Sequence, residues 1–122
     1  EVSVLKDISI LNIYGSMAKH ATAAQEVSAG NIANANQPGY KAKQVETFDA
    51  YMTRLQNADQ VSAAQIAMPS FFETTSGSKP NGNSVSLEQE ILKSAEALGQ
   101  HNLALSVYSK SLEMMRTALG RR

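Results

Sequence analysis

Apolar and small residues recur at helical intervals at both ends of the chain and lose that rhythm in between. Toward the C-terminus, Ile91, Leu98, Leu105, Leu112 and Leu119 stand seven residues apart without a break. Leu87, Ser94, His101, Tyr108 and Met115 form a second register of the same period. Two such registers make one stripe of a helix, the seam of a coiled coil. They predict a helix over 87–119, about 50 Å long at 1.5 Å per residue, packed through its leucine register. Ser86 and Gln89 form a capping box at its start, and Gly120 marks its stop. Glu88 and Glu90 near the beginning, and Arg116, Arg121 and Arg122 near the end, suit the helix dipole.

The N-terminal pattern is narrower. Ile13, Met17, His20, Ala24, Val27, Asn31 and Asn34 alternate at four and three residues and predict a helix over 4–36. Ile8, Ile10, Leu11 and Tyr14 widen the apolar face at its beginning. The stripe becomes small and polar toward its end, so it offers close packing but little hydrophobic energy. Gly15 and Gly30 each weaken the helix by about 1 kcal/mol relative to alanine. Such a helix needs partners. Its exit is chemically specified: Asn31, Asn34 and Asn36 tolerate helix-ending conformations, Pro38 cannot continue a helix, and Gly39 supplies the freedom of a turn.

Between the two periodic ends, residues 37–68 read as irregular chain holding one short helix at about 46–57, on the spacing of Val45, Phe48, Tyr51, Met52 and Leu55. The run 63–68 is open to helix or irregular chain, and Pro69 closes it. Residues 69–86 are rich in Ser, Thr, Gly, Asn and Pro and read as a flexible arm. Lys79-Pro80-Asn81-Gly82-Asn83 carries a strong turn signal. Phe71 and Phe72 stand out in this polar tract as an anchor, to a partner or to the chain's own helices. A short β-hairpin of Phe71–Thr75 with Ser84–Val85 is also open to it. The whole, 1–122, is expected to be one all-α domain: two long terminal helices paired as an elongated coiled-coil-like hairpin, parallel or antiparallel. Leu92, Leu103, Val107 and Met114 fall off the seam and would be exposed in a lone pair, which points to packing against neighbouring chains.

Composition narrows the function. The chain has 122 residues, 6% aromatic and none of them tryptophan, a thin supply for a deep pocket. Eleven basic and eleven acidic side chains cancel, leaving no basic stripe for nucleic acid. With no cysteine there are no disulfides and no thiolate metal sites. No run of about 18 apolar residues could span a membrane. Residues 1–7 lack the basic and apolar regions of a secretory signal, so export, if it occurs, is expected by another route. His20 and His101 are the only candidates for acid–base or metal chemistry. No metal or nucleophile motif surrounds them, and a histidine on a helical seam is more often a packed polar residue. Glu88 and Glu90, two apart on a helix, face different sides. No catalytic residue, cofactor, metal or small-molecule substrate is expected.

Two segments carry a resemblance. Asn31-Ile32-Ala33-Asn34-Ala35-Asn36-Gln37-Pro38-Gly39-Tyr40 resembles the N-terminal signature of the bacterial flagellar rod, hook and filament-junction proteins, with Gln37 where threonine is usual. Asn81-Gly82-Asn83-Ser84-Val85-Ser86-Leu87-Glu88-Gln89-Glu90 resembles the segment that opens the family's C-terminal helix, with Ser86 where aspartate is common. The chain has no room for the large inserted β-domains of the longer members, so it is most similar to the proximal rod proteins. The resemblance implies a structural subunit in a helical tube around an export channel, crossing the periplasm as part of the drive shaft. It implies export by the flagellar type III apparatus without a cleaved signal. It also implies contacts with its own kind and other rod proteins, and with the membrane (MS) ring protein and its small basal-body adaptor. Asn31, Ile32, Asn34, Asn36, Pro38, Gly39 and Tyr40 would then end the helix and touch adjacent subunits. A helical adaptor or chaperone of a type III secretion system is the alternative.

Overall fold

Both terminal periodicities form helices, and a small two-stranded sheet lies between them. The computed structural model describes residues 2–57, 68–74 and 77–120, with side chains from Ser9 onward. The chain runs α1 (Val2–Ala33), β1 (Ala42–Val45), α2 (Phe48–Gln56), β2 (Phe71–Thr74) and α3 (Leu87–Gly120). Helix dominates, so the all-α expectation holds with the sheet as an addition. The run 63–67, open to helix or irregular chain, lies outside the described residues, as do Thr75, Arg121 and Arg122.

α1 and α3 pack along their lengths in opposite directions. Gly15 of α1 faces the Tyr108 ring of α3, at 3.6 Å from where a Cβ would stand. Farther along α1, His20, Ala24 and Ser28 line one cavity with Glu90, Lys93 and Ala97 of α3. Rising numbers on one helix therefore meet falling numbers on the other: the hairpin is antiparallel.

The seam differs in register from the one the largest apolar residues mark. On α3 the buried positions are Glu90, Ala97, Ala104 and Ser111, seven apart. Half-buried Ser94, His101, Tyr108 and Met115 alternate with them, so the second expected register lies at the seam from Ser94 onward, with Leu87 at its start 47% exposed. The leucine register sits one residue round the helix and outside it: Ile91, Leu98, Leu105 and Leu119 are 57, 47, 45 and 64% exposed, with Leu112 half-buried. On α1, Ala21 and Ser28 are buried, while Ile13 is 42% exposed. Small side chains let the two backbones approach, and bulky leucines at those positions would hold them apart. Of the off-seam residues Leu92, Leu103 and Met114 are exposed, as their spacing predicts, while Val107 is half-buried.

Among the described residues of the middle, two segments pair as strands and one forms a helix. β1 and β2 pair antiparallel, with Ala42 opposite Thr74 and Val45 opposite Phe71. Residues 71–74 thus form a strand, but its partner is 42–45 and not Ser84–Val85 as a local hairpin would require. The reason is that the Ser84 N–H donates to the Tyr40 carbonyl, while its hydroxyl holds both strands. The short helix forms close to its expected place. The Thr47 hydroxyl caps α2 by accepting from the Ala50 N–H at 3.1 Å, and Asp49 and Arg54 stand at the ends that suit the dipole. Tyr51, 1% exposed, is the residue by which α2 docks. It stacks on His20 of α1, whose ring also meets the Phe48 edge. His20 donates through Nε2 to the Glu46 carbonyl at 2.6 Å, a packed, hydrogen-bonded histidine.

Candidate assembly site

The two motifs, some fifty residues apart in sequence, fold onto each other (Asn31 and Asn83 mark their centres). α1 ends at Ala33, three residues sooner than the spacing predicts, because Asn34 turns back on the helix. Its side-chain amide donates to the Gly30 carbonyl at 2.8 Å, a second donor beside its own backbone N–H at 3.2 Å. Gln37-Pro38-Gly39-Tyr40 then makes a β-turn closed by the Tyr40 N–H on the Gln37 carbonyl. Proline at the second position and Gly39 at φ +76° at the third are the requirements of a type II turn.

Asn31 is fully buried and acts as a strand neighbour made from a side chain. Its Oδ1 accepts from the Lys43 N–H at 2.9 Å and from the Tyr40 hydroxyl at 3.1 Å. Its Nδ2 donates to the Lys43 carbonyl at 2.8 Å. α1 therefore holds β1 through one amide, and an apolar replacement would orphan both Lys43 groups.

The second motif answers from the other side. Lys79–Gly82 forms a turn, with Gly82 at φ +82°. A Cβ on Gly82 would stand 3.3 Å from the Gly39 Cα, so the two loops touch glycine on glycine. The Gly39 N–H donates to the Asn81 carbonyl at 2.9 Å. Asn83, also fully buried, donates through Nδ2 to the carbonyls of Asn34 (2.9 Å) and Gln37 (2.7 Å) and accepts at Oδ1 from the Val85 N–H (2.8 Å). The Ser84 hydroxyl accepts from the Ala42 N–H at 2.7 Å and donates to the Thr74 carbonyl at 2.6 Å. Under this network lies a small core of Ala35, Ala42 and Val85, with Tyr40 against it. One spacing rule could have singled out Asn83: it is the second asparagine of a turn signal, and its side chain remains free to reach across.

This knot divides the first motif. Asn31 and Tyr40 act within the chain, with Ile32 and Asn34 half-buried beside them. Asn36 and Pro38 lie exposed, as does Gly39, although its N–H and Cα meet the second motif. Phe71 and Phe72 are 58 and 52% exposed on β2, and the Lys43 ammonium stands 5.4 Å from the Phe71 ring centroid. Beside them Glu46 ties α2 to the sheet. Its Oε1 takes the Arg54 guanidinium at 2.5 Å and the Ser70 N–H at 3.0 Å, and Arg54 also donates to the Met68 carbonyl. The Arg54 hydrogen bond, above all, holds the Glu46 carboxyl below the usual glutamate range.

Among the described residues no three His, Asp or Glu side chains come together to hold a metal, and no helix is long and apolar enough to cross a membrane. What the molecule presents is surface. Leu87, Ile91, Leu98, Leu105 and Leu119 form one exposed apolar line along α3, and Leu92, Leu103 and Met114, eleven apart, form another. Patches of this extent on a helix mark interaction surfaces.

No protein-family model matches the chain. It is similar to the flagellar basal body rod protein FlgB of Agrobacterium fabrum (strain C58 / ATCC 33970), 30% identical over 126 aligned residues. That alignment covers 91% of this chain and 92% of the relative, and so takes in both motifs and most of the two long helices. Its two sequence motifs joined in one hydrogen-bonded knot, and related along nearly its whole length to a rod protein, the chain belongs to the FlgB family of flagellar basal body rod proteins.

Proposed function

We propose that this chain is a structural subunit of the proximal rod, assembling helically into the periplasmic drive shaft that carries torque and surrounds the export channel. The observation that supports it most is the exposed apolar face of α3. Eight large hydrophobic side chains between Leu87 and Leu119 stand open on a helix whose partner covers only its small-residue seam. A subunit that packs helix to helix with its neighbours requires such a face. In this reading Ile91, Leu98, Leu105, Leu112 and Leu119 pack between chains. Asn36, Pro38 and Gly39 meet adjacent subunits, and Phe71 and Phe72 anchor on a neighbour.

The same reading gives the subunit other rod proteins, the MS-ring protein and its adaptor as partners, and export by the flagellar type III apparatus. It assigns no catalysis. The test is deletion of the gene, with electron microscopy of purified basal bodies and a swimming assay. Membrane rings without a rod, and motility restored by the intact gene, are expected. Normal rods and normal swimming would sink the proposal and bring the adaptor or chaperone reading forward.

A further inference from the structure

The two-stranded sheet has one edge covered and one open. α1 lies along β1, where Asn31 takes both the N–H and the carbonyl of Lys43, and His20 takes the Glu46 carbonyl. Backbone groups alternate in direction along a strand, so those of Gln44 face β2 and meet those of Phe72. The Glu46 N–H on the Ser70 carbonyl, at 2.9 Å, keeps the same phase. Phe71 and Glu73, opposite Val45 and Lys43, therefore turn their N–H and C=O groups away from β1. Among the described residues nothing bonds to those groups. Ser70, Phe71, Phe72 and Glu73 are all exposed.

A free strand edge is completed by another strand, and this one is complementary to itself. In a second copy β1 is again covered by its own α1, and β2 is again the edge left open. Two β2 edges set antiparallel about a two-fold axis, with Phe72 opposite Phe72, bring Phe71 of each chain opposite Glu73 of the other. That register joins all the outward groups in four backbone hydrogen bonds, two for each Phe71–Glu73 pair. Phe72 falls at the close, non-hydrogen-bonded position, where aromatic pairs stabilise a sheet. The charges agree as well. Glu73 stands across from Lys43 within the chain, yet the Lys43 ammonium lies 5.4 Å from the Phe71 ring centroid, and Glu73 has no ion-pair partner among the described residues. In the pair, Glu73 lies beside Phe71 of the second copy, and so beside the ammonium which that ring carries. Two strands of four residues each make a marginal sheet, whereas the pair has four strands.

We propose that the open edge of β2 binds the β2 edge of a second copy of this chain, giving a four-stranded sheet across a two-fold axis. This gives the anchoring of Phe71 and Phe72 its partner, and to that extent it rests on the rod reading above. The contact is isologous and closes at two chains, so the apolar lines of α3 stay open to further neighbours.

The chain has no cysteine, so single introduced thiols report the register. In the pair the two Cα atoms of residue 72 stand about 4.5 Å apart, within disulfide reach, whereas those of residue 71 are two positions out of step and beyond it. Purified full-length Phe72→Cys is expected to give a disulfide-linked dimer under mild oxidation, and Phe71→Cys is not. Glu73→Pro removes an outward N–H that takes no part in the pairing with β1. Sedimentation equilibrium is expected to find the unsubstituted chain a dimer and Glu73→Pro a monomer, with the same circular dichroism. Glu73→Lys, which sets like charge against Lys43 of the second copy, is expected to shift the equilibrium toward monomer and serves if proline disturbs the fold. A monomer at every concentration measured, or linking of Phe71→Cys as readily as Phe72→Cys, overturns the proposal and leaves β2 to a strand of another protein. A dimer that neither Glu73 substitution weakens overturns it too, and puts the contact elsewhere. Either result alongside rodless basal bodies in the deletion strain leaves the rod reading standing, so the two are separable.

Discussion

Asn31 and Asn83 show how two amide side chains do what a larger core does elsewhere. Each is fully buried, and each bonds backbone groups of a distant segment. Asn83→Ala would leave the Asn34 and Gln37 carbonyls and the Val85 N–H without that partner, at a cost of about 2–3 kcal/mol. Urea denaturation followed by circular dichroism checks this, and a midpoint equal to that of the parent would show that water replaces the amide without loss. The asparagines of the first motif were legible as a helix exit. That Asn31 would lie flat against a strand was not, because its partner Lys43 carries no sign of the pairing. Glu46 gives a pH dependence of defined sign. Its folded-state pKa lies below 4.5, so the stability it contributes is present above that value and lost as pH falls through the folded pKa. Thermal melts from neutral pH downward should show the loss, and Glu46→Gln should remove that part of the slope. An unchanged slope would assign it to other carboxylates.

Among elements, the two faces of α3 differ in what covers them. Ala104 is fully buried in the seam and Leu105, its neighbour, is 45% exposed. Ala104→Leu would force the helices apart and destabilise the isolated chain by about 1–3 kcal/mol. Leu105→Ser should leave the isolated chain's melting temperature nearly unchanged and impair rod assembly in cells. The opposite pattern would put the leucine register in the hairpin. The seven-residue period was plain in the sequence. Its phase was not: Ala104 and Leu105 belong to registers one residue apart, and hydrophobicity favours the leucine. The closeness of the α1 backbone decides for the alanine, and it is visible only once α1 is in place.

At the scale of the molecule, the hairpin is long, thin and held by small side chains such as Ala21, Ser28, Ala97 and Ala104. Beyond Ser111, α3 is exposed save for half-buried Leu112 and Met115, whereas β1 is pinned by Asn31 and Ser84. Local opening should therefore begin at the far end of the hairpin. Trypsin acting on the dilute chain is expected to cut at Lys110 and Arg116 well before Lys43, with assembly protecting all three. Equal protection of Lys43 and Arg116 in dilute solution would argue against a subunit completed by its neighbours. The sequence by itself determined the two long helices, the short one near 46–57, the turns at Pro38-Gly39 and Asn81-Gly82, and the motifs of the family, because each follows from residues within a few positions of one another. The tertiary structure alone decided the antiparallel direction, the small-residue seam, the pairing of 71–74 with 42–45 and the meeting of the two motifs. Those depend on which surfaces remain once distant segments have closed on each other. A single hydroxyl on Ser84 or amide on Asn83 can settle them, at a separation no local pattern records.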